Sequence, residues 1–190
     1  PQAENIIVEY TLNSWNNSEL TKSSNNWITA SYLFDHSENV ENLKSDFLKL
    51  ENLDYSIGSI HFLGGVINNE LKGFEIFGKE LEIGLQTIYK GNVMKLTEDY
   101  YKNMREMLQY FTPNMVGHID KIKDINKLGD YLNENDAWYH DEIKETLKLI
   151  AEKKVILEIN TKGMYNNATK NPYPSFWFLE KANALNIKMI

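Results

Sequence analysis

His61, His118, Asp120, Glu158 and Asn160 are the side chains of this chain best suited to carry chemistry, and their setting is as informative as their type. They fall within or just after three short apolar runs. These are Tyr55-Ser56-Ile57-Gly58-Ser59-Ile60-His61-Phe62, Asn114-Met115-Val116-Gly117-His118-Ile119-Asp120 and Val155-Ile156-Leu157-Glu158-Ile159-Asn160-Thr161. Imidazole and carboxylate together can bind a divalent metal, polarise water and stabilise a developing anion. The chain has no cysteine, so any metal must be held by His and carboxylate rather than thiolate. Glu158 and Asn160 are two residues apart, which in a strand turns both to the same face. Taken alone, each histidine is open to two readings, a ligand or a hydrogen-bonded structural residue. Asp120 could orient His118, coordinate a metal, or simply cap a strand. Glu158 and Asn160 could equally belong to a structural hydrogen-bond network.

Such groups converge only if the elements before them end at one rim. The three runs are short and rich in β-branched residues, as buried parallel strands are. Residues 5–12 and 27–34 read as further strands. Residues 13–26 hold too little apolar surface to pack and read as a polar loop or insertion. Val40, Leu43, Phe47 and Leu50 recur at helical spacing, which predicts a helix over 38–50. A glycine-containing loop is expected after residue 62. Leu96, Tyr100, Met104, Met107, Leu108 and Phe111 form a helical stripe that Thr112-Pro113 stops. A second long helix is predicted over 134–153, with Ile143, Leu147 and Ile150 inward. Pro172-Tyr173-Pro174-Ser175 opens a last helix, and 187–190 starts another strand. Alternation of strand and helix favours a parallel sheet or barrel within a single α/β domain spanning 1–190. In α/β barrels the functional groups stand at the C-terminal ends of the strands.

Net charge excludes some partners. At −7, with no basic stripe, the chain is not a general nucleic-acid binder. No apolar run approaches the length of a membrane span, so no membrane partner is expected. The absence of cysteine fits a reducing compartment, and the expected localisation is cytoplasmic. The chain begins at Pro1 and stops at Met189-Ile190 inside a strand-like run, so both ends are expected to be cuts in a longer polypeptide.

From about residue 52 onward the chain resembles the PHP-type histidinol-phosphate phosphatases, of the polymerase and histidinol phosphatase superfamily. The resemblance rests on Ile57-Gly58-Ser59-Ile60-His61-Phe62 and Val116-Gly117-His118-Ile119-Asp120-Lys121-Ile122-Lys123. Asn135-Asp136-Ala137-Trp138-Tyr139, Leu157-Glu158-Ile159-Asn160-Thr161-Lys162-Gly163 and Pro172-Tyr173-Pro174-Ser175 continue it, in matching order. It implies a distorted seven-stranded TIM-like β/α barrel, here incomplete at both ends. The implied activity is hydrolysis of L-histidinol phosphate, a small phosphate ester, by hydroxide bound to a di- or trinuclear cluster of Mn, Fe or Zn. His61 and His118 then become metal ligands, with Asp120, Glu158 and Asn160 lining or bracing the same face. Glu9 is the candidate for the bridging carboxylate of the family's third strand, although Asp35 stands at a better distance from His61.

The chain also departs from that pattern. The His-x-His strand that opens the family, a further His after its second strand and a closing Ser-Asp-Ala-His motif have no counterpart. The alternative is therefore a non-catalytic fragment or degenerate PHP scaffold without a complete cluster. Phosphate recognition usually employs Arg, and the single Arg105 is expected on the outer side of its helix. Lys121, Lys123 and Lys162 lie nearer the proposed face, with Lys162 the first choice for the substrate phosphate. His140 reads as solvated, His36 as a loop residue, Trp138 and Tyr139 as packing, and Trp177 as core or pocket wall. Oligomeric state is not legible in the sequence.

Overall fold

The computed structural model describes the backbone of residues 7–13, 19–22, 27–33, 55–67, 70–166 and 169–190, with side chains over 56–64, 73–166 and 169–190. The predicted helix over 38–50, and with it His36 and Asp35, lies outside the described residues.

A six-stranded sheet organises the chain, in the order β2 (Glu19–Lys22), β3 (Trp27–Leu33), β1 (Ile7–Asn13), β4 (Tyr55–Ser59), β7 (Met115–Val116), β8 (Ile156–Leu157). Its centre is β1 (Ile7–Asn13), parallel on one side to β3 (Trp27–Leu33) and on the other to β4 (Tyr55–Ser59). Parallel pairing continues through β7 (Met115–Val116) to β8 (Ile156–Leu157). Beyond β8 the chain end adds a parallel bridge from Leu157 to Met189, with Ile159 donating to the Ile190 carbonyl at 2.7 Å. The strand start expected at 187–190 is thus present as a continuation of the sheet. Among the described residues this sheet is open at both margins, so the fold seen is mixed α/β rather than a closed barrel.

Three expectations need correction. The polar stretch 13–26 is not all loop: Asn13 closes β1, and β2 (Glu19–Lys22) runs antiparallel to β3 at the sheet edge. Alternation of Glu19, Leu20, Thr21 and Lys22 suffices there because an edge strand needs only one neighbour. The strand expected over 55–62 stops at Ser59, and the loop expected after it is a hairpin. Its strands, β5 (Phe62–Ile67) and β6 (Glu70–Glu75), form a separate antiparallel sheet with Gly64 facing Gly73. Glycines in both strands weaken the β signal in the sequence, while cross-strand pairing restores the structure. Helix α1 (Gly78–Thr87) follows at once and buries Leu81, Gly84 and Leu85.

The long helices match the sequence closely. In α2 (Val93–Tyr110) Leu96, Tyr100, Met104, Met107 and Leu108 are fully buried, as their spacing requires. Asn92 caps it, accepting the Lys95 N–H at 3.0 Å. The helix ends before Thr112, which takes φ 46° and hands the chain to the buried Pro113. Helix α3 (Ala137–Lys153) buries Tyr139, Ile143, Thr146, Leu147 and Ile150. Lys154 in the left-handed region turns the chain directly into β8. Arg105 is not on an outer face. It joins α2 to α3 through Glu142 at 2.8 Å and Thr146 at 3.2 Å. A short α4 (Lys162–Tyr165) and α5 (Phe176–Ala184) complete the elements, and no described helix is long and apolar enough to cross a membrane.

Candidate active site

The C-terminal ends of β4, β7 and β8 open onto a cavity of about 620 Å³. Ile57, Gly117, His118, Glu158, Asn160, Lys162 and Tyr173 line it, and Phe77, Lys121, Asp124 and Lys127 complete its other walls. Of the strand-end groups expected to pool, His118, Glu158 and Asn160 line this cavity, whereas His61 and Asp120 are not among its lining residues.

His118 leaves β7 with φ 28°, a left-handed backbone that ends the strand. Its N–H donates to Glu158 Oε2 at 2.8 Å, across the β7–β8 pair. Asn160 Nδ2 donates to the other oxygen of Glu158 at 3.2 Å, and the Lys162 N–H donates to Asn160 Oδ1 at 3.0 Å. This chain of contacts ties His118 to the start of α4. Gly117 leaves room beside this contact: a Cβ there would crowd Glu158 Oε2 at 3.3 Å and Ile57 Cγ2 at 3.2 Å. His61, two residues past β4, places its ring centroid 4.8 Å from that of His118 at an interplanar angle of 60°. The two imidazoles are thus neighbours although 57 positions separate them in sequence.

Asp120 is placed elsewhere. Its carboxylate is fully buried and engaged by Lys123 Nζ at 2.7 Å, by the Ser175 N–H at 2.9 Å and by the Ser175 hydroxyl at 3.2 Å. It is not among the cavity-lining residues. Burial pushes its carboxyl above the usual range, while Lys123 and then Ser175 pull it down. Lys123, considered above as a phosphate ligand, is buried with it. Lys123 also donates to the Pro172 carbonyl and the Ser175 hydroxyl, both at 2.9 Å, and lies 4.5 Å from the Tyr173 ring centroid. This pair joins the segment after β7 to the entry of α5.

Lys162 stands exposed on the rim. The sequence reading placed Lys121 near the same face, and it missed Lys127. Residues Lys121–Lys127 form a 3₁₀ helix, in which side chains three apart eclipse one another. Lys121, Asp124 and Lys127 are therefore stacked along one wall of the cavity. Asp124 lies 3.7 Å from Lys121 Nζ and 2.9 Å from Lys127 Nζ, and it accepts a hydrogen bond from the Tyr173 hydroxyl. Lys127 Nζ donates to that same hydroxyl at 3.0 Å. Burial and then Asp124 raise the Tyr173 phenol above its ordinary pKa, so it stays protonated at neutral pH. Two ammonium groups against one carboxylate leave a net positive wall in an acidic protein. The available signal for Lys127 was the Lys-x-x-Asp-x-x-Lys spacing that begins at Lys121.

Glu9 contributes only a backbone position here, in β1 beside Ile57 of β4. His140 is not simply solvated: its ring stacks on Trp177 at 4.5 Å and its Nε2 lies 2.8 Å from the Glu134 carbonyl. Tyr139 is buried in the core, as a packing role requires.

In kind, His61, His118 and Glu158 suit Mn, Fe or Zn, since all offer nitrogen or oxygen donors. In number they fall short: among the described residues no group of three or more His, Asp or Glu side chains could hold a metal ion.

Comparison with known proteins bears on the family and the fold. A family model described as the PHP domain matches residues 24–162. A protein of Clostridium acetobutylicum named probable histidinol-phosphatase is 33% identical over 116 residues, covering 58% of this chain and 38% of its own length. One of the same name from Schizosaccharomyces pombe is 30% identical over 149 residues, covering 75% of this chain and 44% of its own. The chain thus spans about two fifths of the length of the curated relatives it matches. A Listeria monocytogenes structure named as a histidinol phosphatase superposes with TM-score 0.66 at 18% identity, covering 84% of this chain and 60% of that one. The Lactococcus lactis histidinol phosphate phosphatase, solved with zinc, L-histidinol and phosphate, gives 0.53 at 20% identity, covering 85% and 57%.

Proposed function

The chain belongs to the PHP domain family, and from that premise we propose that it acts as a metal-dependent phosphomonoester hydrolase. The substrate we assign is L-histidinol phosphate or a similar small phosphate ester. The observation that carries this reading is the meeting of His61 and His118, 4.8 Å apart, beside a cavity walled by lysines. On this reading the described sheet is one arc of a TIM-like barrel.

Hydrolysis of a phosphomonoester is slow because the nucleophile approaches an anion, and bound divalent ions supply Lewis acidity and an acidified water. His61 and His118 would hold such ions, with Glu9 as a further donor from β1. Glu158 has a different task, fixing the backbone of His118 while Asn160 fixes Glu158. Lys162, Lys121 and Lys127 would hold the phosphoryl oxygens, as point charges rather than forks. Asp124 keeps the last two in place. Asp120 serves as a buried brace beneath the site rather than as a reacting group.

A second reading, a PHP scaffold without a competent cluster, is favoured by the shortage of donors among the described residues. Metal content separates the two. The 190-residue protein is loaded with Mn²⁺ or Zn²⁺, desalted and analysed by elemental mass spectrometry, with phosphate release from L-histidinol phosphate measured in parallel. The enzyme reading expects about two or three retained ions, with turnover that His118→Ala abolishes while the fold persists. No retained metal and no turnover would leave the scaffold.

A further inference from the structure

Phe77 is 59% exposed, yet nothing about its position is loose. Before it, Ile76 is fully buried and donates its N–H to the His61 carbonyl at 2.7 Å. After it, Gly78 takes φ 54°, a turn that the absence of a Cβ permits, and α1 begins. Glu80 Oε2 accepts the Glu75 N–H at 3.1 Å and closes the same turn. An apolar ring is thus displayed on a pinned turn, tied to one of the two site histidines, and it forms part of the cavity wall. Lys121 Nζ lies 5.4 Å from the ring centroid and 3.7 Å from Asp124, so the ring adjoins the cationic wall.

A phosphate ester has an anionic end and a carbon end, and these walls differ in the same sense. An anion held at Lys121 places the attached alcohol beside Phe77. Resting on the phosphomonoesterase reading, we propose that Phe77 is the specificity-determining residue of this cavity, receiving the carbon side of the substrate and favouring alcohols that bear a planar aromatic or heteroaromatic group. A flat ring can stack on Phe77 and remove both faces from water, whereas a small polyol gains nothing from that surface.

The test compares the parent chain with Phe77→Ala and Phe77→Leu, titrating phenyl phosphate, glycerol 2-phosphate and inorganic phosphate by calorimetry. Phe77 is exposed enough for both variants to fold, and their circular dichroism should match the parent. Phe77→Ala is expected to weaken phenyl phosphate about fivefold to tenfold, the size of an aromatic stacking contact. Inorganic phosphate and glycerol 2-phosphate should be unchanged. Phe77→Leu, which keeps apolar bulk without the ring, should lose most of the same preference. Equal weakening of both esters, or of neither, overturns the assignment of Phe77 while the phosphatase reading stands. A parent chain that binds none of the three anions overturns the phosphatase reading and this proposal together.

Discussion

Replacing Asp120 with alanine should destabilise the protein far more than any surface change. The parent buries Asp120 completely and leaves only 9% of the Lys123 side chain exposed, with 2.7 Å between the charges. Alanine leaves the ammonium with two neutral acceptors, the Pro172 carbonyl and the Ser175 hydroxyl. Removing one partner of a buried pair costs about 3–5 kcal/mol, a large share of the roughly 5–15 kcal/mol that holds a domain folded. Lys123→Met should behave differently, because Asp120 can take up a proton. Its carboxyl is already raised by burial, and losing Lys123 raises it further. A folded pKa above the unfolded value gives stability that is complete below the unfolded pKa and is lost as pH rises through the folded one. Lys123→Met should therefore be nearly parent-like at about pH 4 and clearly weaker at about pH 7. The double variant removes both charges and leaves mainly the Ser175 N–H without its acceptor, a cost of about 1–3 kcal/mol. Urea denaturation of the parent, both single variants and the double variant closes the cycle. Additive losses, or an Asp120→Ala cost below about 1 kcal/mol, would refute a buried brace at this position.

Three other perturbations probe the site and its support. Gly58→Ala places a Cβ 2.7 Å from both Met107 Sδ and Pro113 Cγ, and denaturant titration should show a loss of about 1–3 kcal/mol from overpacking. Glu158→Ala removes the 2.8 Å acceptor of the His118 N–H, so stability should fall by about 1–3 kcal/mol. Glu158→Gln keeps an acceptor oxygen and should recover most of that loss, and equal losses in the two variants would remove the hydrogen bond as the cause. Lys162→Ala should raise KM for the phosphate ester with kcat little changed, as loss of uniform binding requires, and an unchanged KM would take Lys162 out of the site.

Much of this protein was open to reading from residue order alone, wherever the signal is local and periodic. The stripe from Leu96 to Leu108 specifies a buried helix face because 3.6-residue periodicity repeats over many turns. Thr112-Pro113 marks its end because proline has no N–H to donate and restricts the residue before it. The apolar runs at 55–62, 114–120 and 155–161 point to parallel strands, and the two-residue spacing of Glu158 and Asn160 puts both on the cavity side. Five family-like segments in order announced the PHP domain. Weak or conflicting local signals misled. Glycine-bearing Phe62–Ile67 and Glu70–Glu75 become strands only by pairing with each other, and Glu19–Lys22 only by lying against β3.

The site itself was decided by tertiary structure. His61 and His118 become neighbours because β4 pairs with β7, and no local rule encodes a 4.8 Å separation across that distance in sequence. Asp120 and Lys123 look like active-site groups on paper, yet packing against Ser175 and Pro172 turns them into a buried pair. Asp124 and Lys127 carry no site signal in the sequence, yet the 3₁₀ winding stacks them with Lys121 into a cationic wall. Sequence periodicity determines which face of an element is apolar. The meeting of polar groups from different elements depends on register and on the burial that desolvates them, and those exist only once the chain has folded.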